Sequence, residues 1–127
     1  MEIMVVDDKE DIRNYVTTLL EKKGHRVITA QNGKEAIDNL VVYKVDLIIT
    51  DIIMPEIEGI EFIMRLRQSN IPIISISGLT KETIISEFIV SLGIVGFLQK
   101  PFNSGDLLKL IANVDDEIAR KKETVSE

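Results

Sequence analysis

Five short apolar runs alternate along the chain with five segments whose apolar residues recur at helical spacing. The runs cover residues 3–6, 27–30, 46–50, 71–77 and 94–98. They are too short for helices, and too continuous for strands with one face in water. Strands greasy on both faces belong in parallel sheets, and parallel neighbours need a crossover that returns the chain to its starting edge. The chain is therefore predicted to repeat a strand-helix unit five times. Right-handed crossovers then place helices on both faces of one sheet, in three layers.

The intervening segments support this order. Ile12, Val16, Leu19 and Leu20 recur from Glu10 onward, with Gly24 as the stop. Gln31-Asn-Gly33 is a hairpin signal in isolation. Ala36, Ile37, Leu40 and Val41 follow it at helical spacing, so a second helix starts there instead. Ile60, Ile63 and Leu66 mark a third helix. Ile84, Ile85, Phe88 and Ile89 mark a fourth, capped by Thr80 and stopped at Gly93. Leu107, Leu110, Ile111, Val114 and Ile118 mark a fifth, capped by Asn103 or Ser104, with Asp106 suited to its positive end. Pro72 is expected inside the start of the fourth strand. One domain over residues 1–120 is expected, followed by a polar tail or the start of a linker over 121–127.

Composition excludes several function classes. A content of 45% hydrophobic residues argues against disorder. Lys+Arg 15 against Asp+Glu 21 leaves a net charge of −6, which disfavours non-specific binding to nucleic acid or anionic membrane. With no cysteine and one histidine there is no thiolate chemistry and no His-rich metal site. No apolar stretch is long enough to span a bilayer, and the N-terminus has no basic n-region or cleavage site. A cytoplasmic location is expected. His25 is expected at the surface before the second strand, with no catalytic role.

The chemistry lies at the carboxyl ends of the runs. The first ends in Asp7-Asp8, the third in Asp51, the fourth in Ser77-Gly78 and the fifth in Lys100-Pro101. A parallel sheet brings all these ends to one edge, where open α/β sheets place their ligands. Singly, each feature is bland: Asp51 reads as a loop cap, Ser77 as a strand-end cap, and Lys100 as a solvated lysine. Jointly they make one kind of site. Three carboxylates repel one another unless a cation lies among them. Hard oxygen ligands suit Mg²⁺, which keeps several waters and bridges to phosphate. A carboxylate can attack phosphorus and form an aspartyl-phosphate. Mg²⁺ would take one phosphoryl oxygen, Lys100 a second and the Ser77 hydroxyl a third, while Gly78 leaves room for a backbone N–H to approach.

These residues carry a close resemblance. Val5-Val-Asp-Asp8, Ile49-Thr-Asp-Ile-Ile-Met-Pro55 with Gly59, Ile76-Ser-Gly78 and Gly93-Ile-Val-Gly-Phe-Leu-Gln-Lys-Pro-Phe102 together resemble the response-regulator receiver domain, the CheY-like module of two-component signalling. The match covers essentially the whole chain. It implies a doubly wound (βα)5 flavodoxin-like three-layer α/β sandwich with parallel strand order 2-1-3-4-5. It implies Asp51 as phosphoacceptor, Asp7 and Asp8 as the Mg²⁺-binding acid pair, and a backbone carbonyl ligand from Ile53. Ser77 becomes the switch hydroxyl, Phe97 the switch aromatic, and Lys100 a phosphoryl-binding lysine followed by a cis bond to Pro101. The donor would be a phosphohistidine on a sensor histidine kinase or a phosphotransfer protein. The output face would be helix 4, strand 5 and helix 5, where surplus apolar residues of the fourth helix suggest a protein partner or a homodimer.

Some positions depart from the family pattern. Lys9 stands where many relatives have a third acid, and is expected either to weaken metal affinity or to pair with Glu10 or Asp11. Ile53 and Leu79 flank the phosphoryl position and are apolar, which predicts a long-lived acyl phosphate. Ile94 replaces a commonly small residue and would restrict the switch aromatic, while Phe97 lacks the tyrosine hydroxyl often found there. Two other functions compete. A phosphatase of the haloacid dehalogenase type needs a second acid two residues after the nucleophile, where this chain has Ile53. A phosphate-independent pseudo-receiver would lack the Asp or the Lys, and both are present.

Overall fold

The computed structural model describes residues 1–51, 64–66, 68–78 and 94–125. Ile53, Leu79 and the predicted fourth helix lie outside the described residues, as does most of the predicted third. Five strands form one parallel sheet: β1 (Glu2–Val6), β2 (Arg26–Ala30), β3 (Leu47–Thr50), β4 (Ile73–Ser77) and β5 (Ile94–Gln99). Their order is β2-β1-β3-β4-β5, as the resemblance implied. The fourth strand begins after Pro72 rather than around it. Proline has no N–H for the ladder, and its carbonyl instead accepts from Ile48 N at 3.0 Å.

The two helices α1 (Glu10–Lys22) and α2 (Gly33–Val42) follow β1 and β2. Glu10 and Asp11 complement the positive end of α1. The helix closes with Gly24 at φ 86, where Gly24 N donates to the Glu21 carbonyl and His25 N to the Leu20 carbonyl. That paired closure needs the left-handed conformation that glycine adopts freely. Asn32 starts α2 by accepting from Glu35 N at 2.8 Å, which settles the Gln31-Asn-Gly33 ambiguity in favour of a helix. A C-terminal helix runs Ser104–Val125. Asn103 caps it, accepting from Asp106 N at 2.8 Å. It continues past the residue-120 boundary expected from sequence. Arg120 and Lys121 stand near its negative end, where cations favour a helix.

Alternation along each strand divides the core in two. Met4, Val6, Ile48 and Ile73 face one side, with Ala36 of α2 and Leu66. Ile3, Val5, Leu47, Ile49, Ile74 and Ile76 face the other, with Val16 and Leu20 of α1 and Leu107, Ile111 and Val114 of the C-terminal helix. An irregularity between β4 and β5 then sets what meets what. Ile73 pairs with Ile94 but Ile74 with Gly96, so Val95 is an extra residue. Beyond this bulge Phe97 lies beside Ser75, and Gln99 beside Ser77. Gly96 lies under the C-terminal helix, where an added Cβ would come within 3.3 Å of the Leu110 side chain.

Candidate functional site

The hydrogen-bond ladder runs on past the strand ends and carries three chemical groups with it. Asp7 N donates to the Ala30 carbonyl, Asp51 N to the Val6 carbonyl, and Lys100 N to the Ser77 carbonyl. The first residue after β1, the first after β3 and the first after β5 are thereby held at one edge. Their side chains converge. Lys100 Nζ donates to Asp7 Oδ2 at 3.0 Å and to Asp51 Oδ2 at 3.2 Å. Solvent reaches only 17% of the lysine side chain, 4% of Asp7 and 13% of Asp51. Ion pairs this far from solvent are weakly screened.

Burial alone pushes the Lys100 ammonium towards its neutral form. The hydrogen bond and charge of Asp7, followed by those of Asp51, outweigh burial and hold its pKa above the ordinary lysine value. The cation therefore stays charged at neutral pH, between two carboxylates. Asp7 has further ties. Its Oδ1 accepts from Lys9 N at 2.9 Å, and Arg13 of α1 donates to its main-chain carbonyl at 2.7 Å. Nothing in the sequence marks Arg13 as part of the site. A basic residue one turn into a helix is ordinarily a solvated one, and only the fold turns it back onto the strand end. Lys9 takes part through its backbone. Among the described residues its side chain forms no ion pair with Glu10 or Asp11.

The acid pair diverges. Asp7 is buried and turned to Lys100, whereas Asp8 is exposed. Ser77 is fully buried at the end of β4. Among the described residues, a Cβ built on Gly78 meets no atom within 4 Å. Phe97 is half-buried against the cluster that contains Ile73 and Ile94. The Lys100–Pro101 bond is cis. Among the described residues no three His, Cys, Asp or Glu side chains form a metal cage. The donor chemistry nonetheless suits Mg²⁺, which needs only one or two carboxylates and otherwise keeps its waters. Asp7 and Asp51 offer hard oxygens, and the exposed Asp8 carboxylate is adjacent in the chain.

His25 directly precedes β2, as expected, but is less exposed than a surface residue. It is half-buried, with Nδ1 3.1 Å from the Met1 amino group. Tyr15 is 46% exposed and rests its ring against Phe102, with centroids 6.1 Å apart. Met4 is fully buried. No helix among the described residues is long and apolar enough to cross a membrane.

Comparison with known proteins agrees with this fold. The response regulator receiver domain family matches residues 3–112. Response regulator SaeR of Staphylococcus aureus is 34% identical over 116 residues, covering 88% of this chain and 49% of that protein. The chain thus spans about half the length of the curated relatives it matches. Chemotaxis response regulator CheY4 of Vibrio cholerae is 33% identical with a TM-score of 0.79, covering 89% of this chain and 97% of that chain. Response regulator protein TrrA of Thermotoga maritima, solved in complex with Mg²⁺-BeF, is 29% identical with a TM-score of 0.73, covering 89% and 97%.

Proposed function

The chain belongs to the response regulator receiver domain family, and from that premise we propose that it is a phosphorylation-controlled switch whose phosphoacceptor is Asp51. The observation that carries this reading is the Lys100 ammonium, 3.0 Å from Asp7 and 3.2 Å from Asp51 at the carboxyl edge of the sheet. A carboxylate oxygen of Asp51 attacks the phosphorus of a phosphohistidine, the P–N bond breaks, and the imidazole leaves. The donor sits on a sensor histidine kinase or a phosphotransfer protein, in the cytoplasm. Lys100 neutralises charge on the incoming group and orients it. Asp7, Asp8 and the Ile53 carbonyl, with Asp51, would hold Mg²⁺. When bound, the ion offsets the negative charge that the phosphoryl group brings to three carboxylates.

Ser77 then turns its hydroxyl to the phosphoryl group beside the Gly78 backbone, and Phe97 moves with it. Charge-assisted hydrogen bonds of this kind bias a two-state element. The output is protein contact through the fourth helix, β5 and the C-terminal helix, to a partner or a second copy. Supporting features are the half-exposed Val95 and a pocket of about 300 Å³ lined by Phe97, Pro101, Phe102 and Asp106. The domain catalyses only its own phosphorylation and a slow dephosphorylation, because apolar Ile53 and Leu79 offer an attacking water no polar partner.

Mg²⁺-dependent acyl phosphate formation from a small phosphodonor, lost in Asp51→Asn, tests the reading. Labelling that persists in Asp51→Asn, or none in the wild type, overturns it. The phosphorylated protein is expected to be long-lived. A lifetime of seconds would exclude the role given to Ile53 and Leu79.

A further inference from the structure

Ser75 lies one step below Ser77 on the same face of β4, fully buried. Among the described residues no protein group hydrogen-bonds its Oγ. In register it sits between Thr50 of β3 and Phe97 of β5. An unpaired buried hydroxyl is a standing cost, equivalent to roughly five- to hundredfold in an equilibrium constant. Among the described residues, the hydroxyl that faces it across the sheet is that of Thr50, also buried, whose Oγ1 makes a long 3.3 Å bond to the Asp51 carbonyl. Adjacent strands lie about 4.8 Å apart, within reach of two facing hydroxyls. A single χ1 change at Thr50 would move its hydroxyl from the Asp51 carbonyl to Ser75.

We propose that Ser75 and Thr50 form a second hydroxyl latch beneath the phosphoacceptor, open in the unmodified protein and closed when Asp51 carries its phosphoryl group. The proposal rests on Asp51 being that phosphoacceptor. In the open arrangement Thr50 is held on the Asp51 carbonyl and Ser75 is unpaired. In the closed arrangement Thr50 pairs with Ser75 and frees the Asp51 main chain to move with the modified side chain. Ser75 is thus a positioning residue that destabilises the resting state and leaves the active one unburdened. A residue that shifts this balance must change the affinity of any ligand selective for the active state by the same factor.

The test is Mg²⁺-dependent binding of beryllofluoride to the intact protein, followed by calorimetry, in wild type, Ser75→Ala, Thr50→Val and the double variant. Ser75→Ala removes the resting-state cost. It should bind beryllofluoride roughly five- to hundredfold more weakly. Its unfolding midpoint without ligand should rise. Thr50→Val should also weaken binding, and the double variant should lose less than the product of the two single losses. Unchanged affinity in Ser75→Ala overturns the latch, and is the outcome expected if a water holds the hydroxyl in both states. Multiplicative losses overturn the pairing of Ser75 with Thr50. A wild type that binds no beryllofluoride overturns both the latch and the phosphoacceptor reading, so the two failures are distinguishable.

Discussion

One face of the sheet carries Ile3, Val5, Leu47, Ile49, Ile74 and Ile76 against α1 and the C-terminal helix, and every one of these side chains is hydrocarbon. The other face begins the same way, with Met4, Ile48 and Ile73, but changes towards the carboxyl edge to Thr50, Ser75 and Ser77. Both faces are equally dry. They come from the same strands, so neither backbone nor burial separates them. Hydrocarbon packs in one arrangement and loses energy in any other. Hydroxyls can exchange partners at small cost when a neighbour's charge changes. One face thus supplies stability, and the other supplies two alternative hydrogen-bond states under Asp51.

The largest expected effect lies on the edge that both faces share. Lys100→Met removes the ammonium that bridges the Asp7 and Asp51 carboxylates. Labelling of Asp51 by a phosphodonor should slow by roughly a hundredfold or more, as when one charge-stabilising donor is removed from an active site. A rate within tenfold of wild type would place the phosphoryl-binding cation elsewhere. Leu47→Ala tests the hydrocarbon face. It should cost about 2–5 kcal/mol of stability in urea unfolding, while labelling per folded molecule stays unchanged. A comparable loss of labelling would mean that the two faces are not functionally separate.

The comparison also explains which parts of the molecule were legible in the sequence. The strand-helix alternation was readable because buried strands are uniformly apolar. The meeting of Asp7, Asp51 and Lys100 followed from placing four strand ends on one edge. The strand order came from the resemblance, since periodicity does not rank strands. The divergence of Asp8 from Asp7 was not readable, because it depends on a turn in which Lys9 N bonds Asp7 Oδ1. Ser75 passed as one member of an apolar run. Its neighbours across the sheet depend on the bulge at Val95, and a slip of one residue would have turned Phe97 to the opposite face. The last turns of the C-terminal helix read as a polar tail because they contain few apolar residues to signal a helix.

Smaller effects sharpen the contrast at α2, which packs on β1 and β2 on the same side of the sheet as the hydroxyls. Asn32→Ala removes the cap of α2 and should cost about 1 kcal/mol, read as a shift in the urea midpoint. Beryllofluoride affinity should be unaffected, since the cap is remote from Asp51. A changed affinity would extend the switch into α2.

The smallest effects are in pH dependence, and the two edges of the sheet should respond in opposite directions. Lys100 has a folded pKa above its unfolded value. Its contribution is therefore fully present below the ordinary lysine pKa and is lost as pH rises through the higher folded value. Lys100→Met should lack that alkaline loss. His25 is the reverse case. Burial, then the Met1 amino group, lower its pKa, and Asp115 only partly opposes them. The unfolded chain binds the proton more readily, so the His25 contribution is fully present above pH 6.5 and is lost as pH falls through the folded value. Urea midpoints between pH 7.5 and roughly pH 5 should fall less in His25→Gln than in wild type, because glutamine takes no proton in that range. Equal slopes would show that the contact with Met1 does not persist in solution. That contact sits beside β2, whose other end bonds Asp7 through Ala30. A slope that also differed after Asp51 was phosphorylated would show that the amino-terminal contact and the phosphoacceptor edge are thermodynamically linked.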